Sequence, residues 1–197
     1  MTDSAAGGDG APAPDPEVRL VAGTFAIDDL DAFLGDLDAV AAETGAVVQA
    51  FDAGLVVSAT QLRGAARLAA RAIARGEAVA RDPGVEVLLY AAGRRQIDRA
   101  LELGVSAGER RVVVLAADFG DVPGVKRSAA DLDAAVDGLR SLATDSSEIA
   151  SGDGRSTEFD EDRVREFYGV TDRELAATNG DLADAVRERV ALLDVKK

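Results

Sequence analysis

The spacing of apolar residues changes several times along this chain, and each change marks an element. "VRLVAG", from Val18 to Gly23, is a short β-favouring run that predicts a strand. In "IDDLDAFLGDLDAVAAETG", Leu30, Phe33, Leu34, Leu37, Val40 and Ala41 fall at helical spacing. Asp28 or Asp29 serves as N-cap and Gly45 as terminator. "AVVQAFD" and "GLVVSA" read as two strands joined by the turn "DAG" in a tight antiparallel connection. A helix follows through "QLRGAARLAARAIARGEAV", with Leu62, Ala66, Ala69, Ala70 and Ile73 on one face and arginines on the other.

Pro83 and Gly84 break the chain before "VEVLLYAAG", a β-like run that predicts a strand ending at Tyr90. "RRQIDRALELG" regains helical spacing and stops at Gly104, and "RRVVVLAA" reads as a buried strand. A Gly and Pro loop at 119–124 leads to the helix "AADLDAAVDGLRSLA", then to a polar Gly and Ser linker at about 144–158. In the C-terminal segment Thr171 and Glu174 have capping-box spacing, and Leu182, Val186, Val190 and Leu193 share one helical stripe. Intermingled strands and helices predict an α/β (α+β) fold, a mixed sheet flanked by helices in a single domain over 17–197. Residues 1–16 hold three of the five prolines and no apolar periodicity, which predicts a disordered tail.

Composition narrows the chemistry. The chain has no Cys and no His, which removes disulfides, thiolate nucleophiles, imidazole bases and the usual zinc ligands. With 36 Asp plus Glu against 22 Lys plus Arg, the formal net charge is −14, and only Lys126, Lys196 and Lys197 are lysines. Such an acidic, lysine-poor composition reads as adaptation to a salty cytoplasm. No apolar run reaches membrane-spanning length and the N-terminus lacks a signal-peptide pattern, so a cytoplasmic location is expected.

Against that background the segment 60–111 carries ten arginines and six acids. Arg63, Arg67, Arg71 and Arg75 recur every four residues, a stripe along one side of a helix. One reading is a solvated face in a chain that uses arginine as its surface cation. The other is an anion-binding surface, with nucleic-acid phosphate the commonest anion that needs several arginines in a row. At about 1 M salt the Debye length is about 3 Å, so such binding must come from direct contacts in a shaped pocket. "LLYAAGRRQI" offers the parts: Gly93 for close approach, Arg94 and Arg95 as planar forks, Gln96 for a base edge and Tyr90 for stacking. Tyr90 reads equally well as a core residue with its hydroxyl at the surface.

Carboxylates at "DFGD", 118–121, and "DED", 160–162, leave a magnesium-dependent hydrolase as the enzyme alternative. Helix capping by first-turn acids is the simpler account of the second group. "DFG" stands without a Gly-rich loop or an HRD loop, and so does not indicate a kinase.

"QAFDAGLVVSATQLRGAARLAARA", "VEVLLYAAGRRQIDRALELGVSAGE" and "FYGVTDRELAATNGDLADAVRERVALLDV" together resemble the small tRNA-binding subunit of the KEOPS complex, the family that includes TPRKB, in an acidic haloarchaeal form. The similarity runs from about Val18 to Asp194, and its most specific pieces are "LLY..G.RQI..A...G" and "ERVALLD". The resemblance implies a non-catalytic α/β subunit without a cofactor or metal. It binds the single-stranded CCA end of tRNA and docks on the complex's kinase-like ATPase, and through it on the catalytic subunit. That complex makes threonylcarbamoyladenosine beside the anticodon. RNA contacts carried over by matching segments are Gln61, Arg63, Arg67, Arg71, Tyr90, Arg94, Arg95 and Gln96. Gln61 stands where family members often have His, which replaces a chargeable group with a neutral one. A pure protein scaffold for the kinase-like partner is the reading that needs no RNA.

The composition generates the first test. Thermal unfolding in molar KCl is expected to occur at higher temperature than in dilute buffer; equal or lower stability in KCl would remove the salt-adaptation reading.

Overall fold

The computed structural model describes residues 14–149, 158–177 and 180–195. Four strands, β1 (Val18–Ile27), β2 (Val47–Asp52), β3 (Gly108–Ala117) and β4 (Asp145–Glu148), form one sheet in the order β2-β3-β1-β4. Among the described residues eight α-helices surround them: α1 (Leu30–Thr44), α2 (Ala59–Ala74), α3 (Pro83–Ala91), α4 (Ile97–Ala100), α5 (Leu132–Leu142), α6 (Glu161–Tyr168), α7 (Asp172–Ala177) and α8 (Leu182–Val195). The α+β class expected from the pattern is what forms, but every ladder is antiparallel rather than mixed. β1, α1 and β2 make a β-α-β unit whose two strands run the same way with the opposed β3 inserted between them.

β3 explains the three-layer arrangement. From Val112 to Ala117 all six side chains are buried, because both sheet faces are covered. Val113, Leu115 and Ala117 face the layer of α2, α3, α6 and α8, whereas Val112, Val114 and Ala116 face α1 and α5. β2 alternates likewise, with Phe51 on the first face and Ala50 on the second. In α1, Asp29 accepts from Ala32 N at 3.0 Å and Gly45 closes the helix at φ 74, as its sequence predicts. Leu34, however, is 42% exposed, because the buried arc of α1 is only Phe33, Leu37 and Val40.

Three predicted elements differ. "GLVVSA" is no strand: Asp52 accepts from Gly54 N at 2.8 Å and folds Ala53–Leu55 into a 3-10 turn, and Ser58 then caps α2. "VEVLLYAAG" is the helix α3. Asp82 caps it through Val85 N at 3.1 Å, Pro83 sits in its first turn, and burial of Val87, Leu88, Leu89, Tyr90 and Ala91 removes any amphipathic period. Buried Glu86 fixes the approach to α3 by accepting from Val79 N and Ala80 N at 3.0 and 2.8 Å. Within the expected linker, Asp145–Glu148 pairs with β1 as β4, and the part over 150–157 lies outside the described residues. The expected tail falls mostly on residues 1–13, also outside them. Among the described residues no helix is long and apolar enough to cross a membrane.

α2 buries Leu62, Ala65, Ala66, Ala69, Ala70 and Ala72. Small side chains let α3 and α8 pack close against it. The predicted stripe of α8 is correct: Leu182, Val186 and Val190 are buried and Leu193 is partly buried against them.

Candidate functional site

Gln61 lies one turn into α2, where the sequence reading placed an RNA contact, yet it is 1% exposed. Its backbone N–H donates to the Ser58 cap at 3.3 Å. Its Oε1 accepts from Val57 N at 2.9 Å, while Nε2 donates to the Ala91 carbonyl at 3.0 Å and to the Tyr168 oxygen at 2.6 Å. The Tyr168 hydroxyl in turn donates to the Ala91 carbonyl at 3.0 Å. Both amide ends are hydrogen-bonded inside the protein, where they join α2, α3 and α6.

Tyr90 ends no strand. It sits on α3, 3% exposed, and its hydroxyl reaches Asp194 Oδ1 on α8 at 3.3 Å. Burial first, and the adjacent Asp194 carboxylate second, push its phenol up to about 12. Tyr168 is pushed up as well, chiefly by burial. Asp194 also accepts from Arg75 Nη2 at 2.5 Å, and Arg75 Nε donates to Glu77 at 2.8 Å. The last arginine of the stripe thus pins α8 to the end of α2.

The turn after α3 is built by Gly93 at φ 61. Gly93 N donates to the Tyr90 carbonyl and Arg94 N to that of Leu89, at 2.9 and 3.0 Å. A Cβ there would lie 3.5 Å from that of Arg189, so the turn also admits α8. Arg94 lies over the Phe167 ring, 5.0 Å from its centroid, and Nη2 donates to the Phe167 carbonyl. Its buried Nε finds no acceptor among the described residues. Arg95 Nη2 donates to the Leu193 carbonyl at 3.1 Å, in the last turn of α8. Gln96 is exposed and its side chain makes no cap. Arg94 separates two clefts, one of about 340 Å³ beside Tyr168 and Arg189 and one of about 530 Å³ beside Arg99, Arg163 and Glu166.

Of the remaining stripe, Arg63 Nη2 donates to the Ile149 carbonyl at 3.2 Å. Arg67 is exposed, and Arg71 is half-buried with an Nε that has no acceptor among the described residues. The eight sequence-derived residues therefore separate. Gln61 and Tyr90 belong to the core, Arg63, Arg94 and Arg95 hold backbone carbonyls, and Arg67, Arg71 and Gln96 remain available to a ligand.

Sequence reasoning missed Arg189. Its guanidinium donates to the Tyr168 and Gly169 carbonyls at 2.7 and 2.9 Å and forks onto both Glu174 oxygens at 2.7 and 3.0 Å. That hydrogen bonding holds the Glu174 carboxyl below its ordinary range. Thr171 does cap Glu174 N, at 3.2 Å, and the Thr171 backbone N–H in turn hydrogen-bonds the Glu174 carboxylate, so the expected capping box forms on the same carboxylate that takes the fork of Arg189. The only advance signal was its place within "ERVALLD".

The leading acid of each group in the hydrolase alternative serves backbone. Asp160 caps α6 through Arg163 N at 3.1 Å, with Glu161 and Asp162 in the first turn, and Asp118 accepts from Gly120 N at 2.8 Å. No cluster of three carboxylates able to hold a metal occurs among the described residues.

Gln61→Leu strands Val57 N–H and removes one Tyr168 partner, and is expected to lower unfolding free energy by about 2–4 kcal/mol. Gln96→Ala should stay within about 0.5 kcal/mol. Denaturant unfolding of both checks the contrast.

The two tyrosines make a second test. Their folded-state acidities are weaker than the ordinary value near 10. Deprotonation therefore favours the unfolded chain, and stability present below pH 10 falls as pH rises toward 12. Tyr90→Phe should shallow that fall, and the folded parent should show little phenolate absorbance near pH 10. An unperturbed titration of both tyrosines would contradict the geometry.

No curated protein matches the chain. Residues 36–194 match the family model "Kinase binding protein CGI-121", which spans β2, β3, β4, most of α1 and the whole set of helices from α2 to α8 described above. With most of its length matched, the chain belongs to the CGI-121 family of kinase-binding proteins.

Proposed function

We propose that this protein is a non-catalytic subunit of a KEOPS-type tRNA-modifying complex, one that binds its kinase-like ATPase and the single-stranded CCA end of tRNA. Membership of a kinase-binding family supports the protein partner. The observation that carries the RNA half is Arg67 and Arg71: in a chain of net charge −14, two neighbouring guanidiniums on α2 have no acid or carbonyl partner among the described residues. Successive phosphates fit that arrangement, because a planar fork binds phosphate oxygens bidentately and keeps its value where long-range attraction is screened. Gln96 would contribute through its exposed amide.

A scaffold that stabilises the kinase-like partner without touching RNA is favoured by a different observation. Gln61, Arg75, Arg94 and Arg95 are all engaged in holding helices together. The two readings part on surface variants that leave those ties intact. In high-KCl buffer, Arg67→Ala/Arg71→Ala is expected to weaken tRNA binding by about tenfold or more, at roughly 1 kcal/mol or more per charge-assisted contact. Binding of the kinase-like subunit should be unchanged. The parent should also prefer intact tRNA over the same tRNA lacking its CCA end. If neither tRNA binds the parent, the scaffold reading stands alone.

A further inference from the structure

A second concentration of unpartnered cations lies at the far end of α3 from Arg94. Five described cations have neither an acid nor a carbonyl partner among the described residues: Arg67, Arg71, Arg81, Lys126 and Arg173. Arg81 and Lys126 line the same cavity, of about 380 Å³, together with Arg127, whose Nη1 is anchored on the Ala46 carbonyl at 3.1 Å. No acidic side chain lines it, although 36 acids occur in the chain. Of the acids beside it in the chain, Asp82 accepts from Val85 N, Glu86 accepts from Val79 N and Ala80 N, and Glu77 pairs with Arg75. Lys126 is moreover the one lysine among the described residues.

The remaining wall is aliphatic, including Ile73, Pro83 and Val125. Gly124, at φ 91, brings its loop to within 3.4 Å of the Ile73 carbonyl at the position a Cβ would take, so backbone forms one side of the pocket. Pro83 is in the first turn of α3, whose positive dipole end therefore borders the cavity. The volume falls at the low end of the roughly 300–1,000 Å³ of small-molecule sites. No aromatic ring lines it, so nothing there stacks a nucleobase.

We propose that the cavity bounded by Arg81, Lys126 and Arg127 binds a small phosphate monoester, its dianionic phosphoryl group among the three cations and its aliphatic or sugar body against Ile73, Pro83 and Val125. A phosphate monoester carries about −1.5 to −2 charge near neutral pH, which matches three cations better than a single carboxylate does. The site is independent of the RNA reading, since it shares no residue with Arg67, Arg71, Arg94 or Gln96.

The test follows backbone amide resonances of the isotope-labelled full-length protein in high-KCl buffer during titration with ribose 5-phosphate, ribose and inorganic phosphate. Ribose 5-phosphate is expected to give saturable shifts at residues 76–81 and 124–127, and ribose none. Inorganic phosphate should bind more weakly, because it leaves the aliphatic wall bare. Arg81→Ala/Lys126→Ala should weaken the monoester by about tenfold or more, whereas Arg67→Ala binds like the parent. Lys126→Gln, an exposed single change, carries the same test if the double variant does not fold. Four results each overturn the proposal: no saturable shift, unaltered binding by the variants, equal binding of inorganic phosphate, or shifts of these residues only with a single-stranded oligonucleotide.

Discussion

The helical layer of this protein depends on one buried amide. Gln61 and Tyr168 are 107 residues apart, and with the Ala91 carbonyl they close a three-membered hydrogen-bond set between the start of α2, the end of α3 and the end of α6. Helix ends carry unsatisfied polar groups, and ends that converge inside a core need internal partners. Gln61 supplies them with two donors and one acceptor, all used. A polar set of this kind fixes how three otherwise alanine-rich and leucine-rich surfaces align, because sliding any helix strands a buried group. The neighbouring turn at Gly93 and the docking of α8 both build on that alignment.

Arginine extends the same solution outward. The carbonyls of Phe167, Tyr168 and Gly169, at the end of α6, are taken by Arg94 and Arg189, and the Leu193 carbonyl in the last turn of α8 by Arg95. Arg127 and Arg63 do the same for Ala46 and Ile149. A planar guanidinium has five donors in fixed directions and serves two or three acceptors at once, which a lysine ammonium on a flexible stem does less well. The near absence of lysine therefore agrees with where the positive charge is placed: at backbone acceptors as well as opposite acids.

Much of the fold is legible in local pattern. The buried run of β3, the caps of α1 and the stripe of α8 follow from spacing, because each is governed by one periodicity and one neighbour. α3 is not, since burial on every side erases the difference between a buried helix and a buried strand, and only the Asp82 and Pro83 pair favours the helix. β4 escapes as well: "DSSE" has no apolar pattern and is a strand because β1 offers it an edge. At the site, charge density marked the arginine-rich segments but not the partners that most of these arginines find. Arg75, Arg94 and Arg95 look like free cations until Asp194, Phe167 and Leu193, which lie far along the chain, are brought beside them.

The cations left over decide what this surface can bind. Exposed ion pairs such as those of Arg99 with Glu102 or Arg111 with Glu158 contribute little even in dilute buffer and less under molar salt. Ties to carbonyls at partly buried positions are shorter in range and less screened, so they persist as structure. Among the described residues, what neither category consumes is Arg67 and Arg71 on α2, the Arg81 and Lys126 pair that lines one cleft, and Arg173 on α7. Two of these are groups, and the second lines a surface cleft of about 380 Å³. An extended anion with several phosphates would suit the open α2 face, and a small one that cleft. The other cations among the described residues are spent on the fold itself, so anion recognition by the described residues has these places to work with.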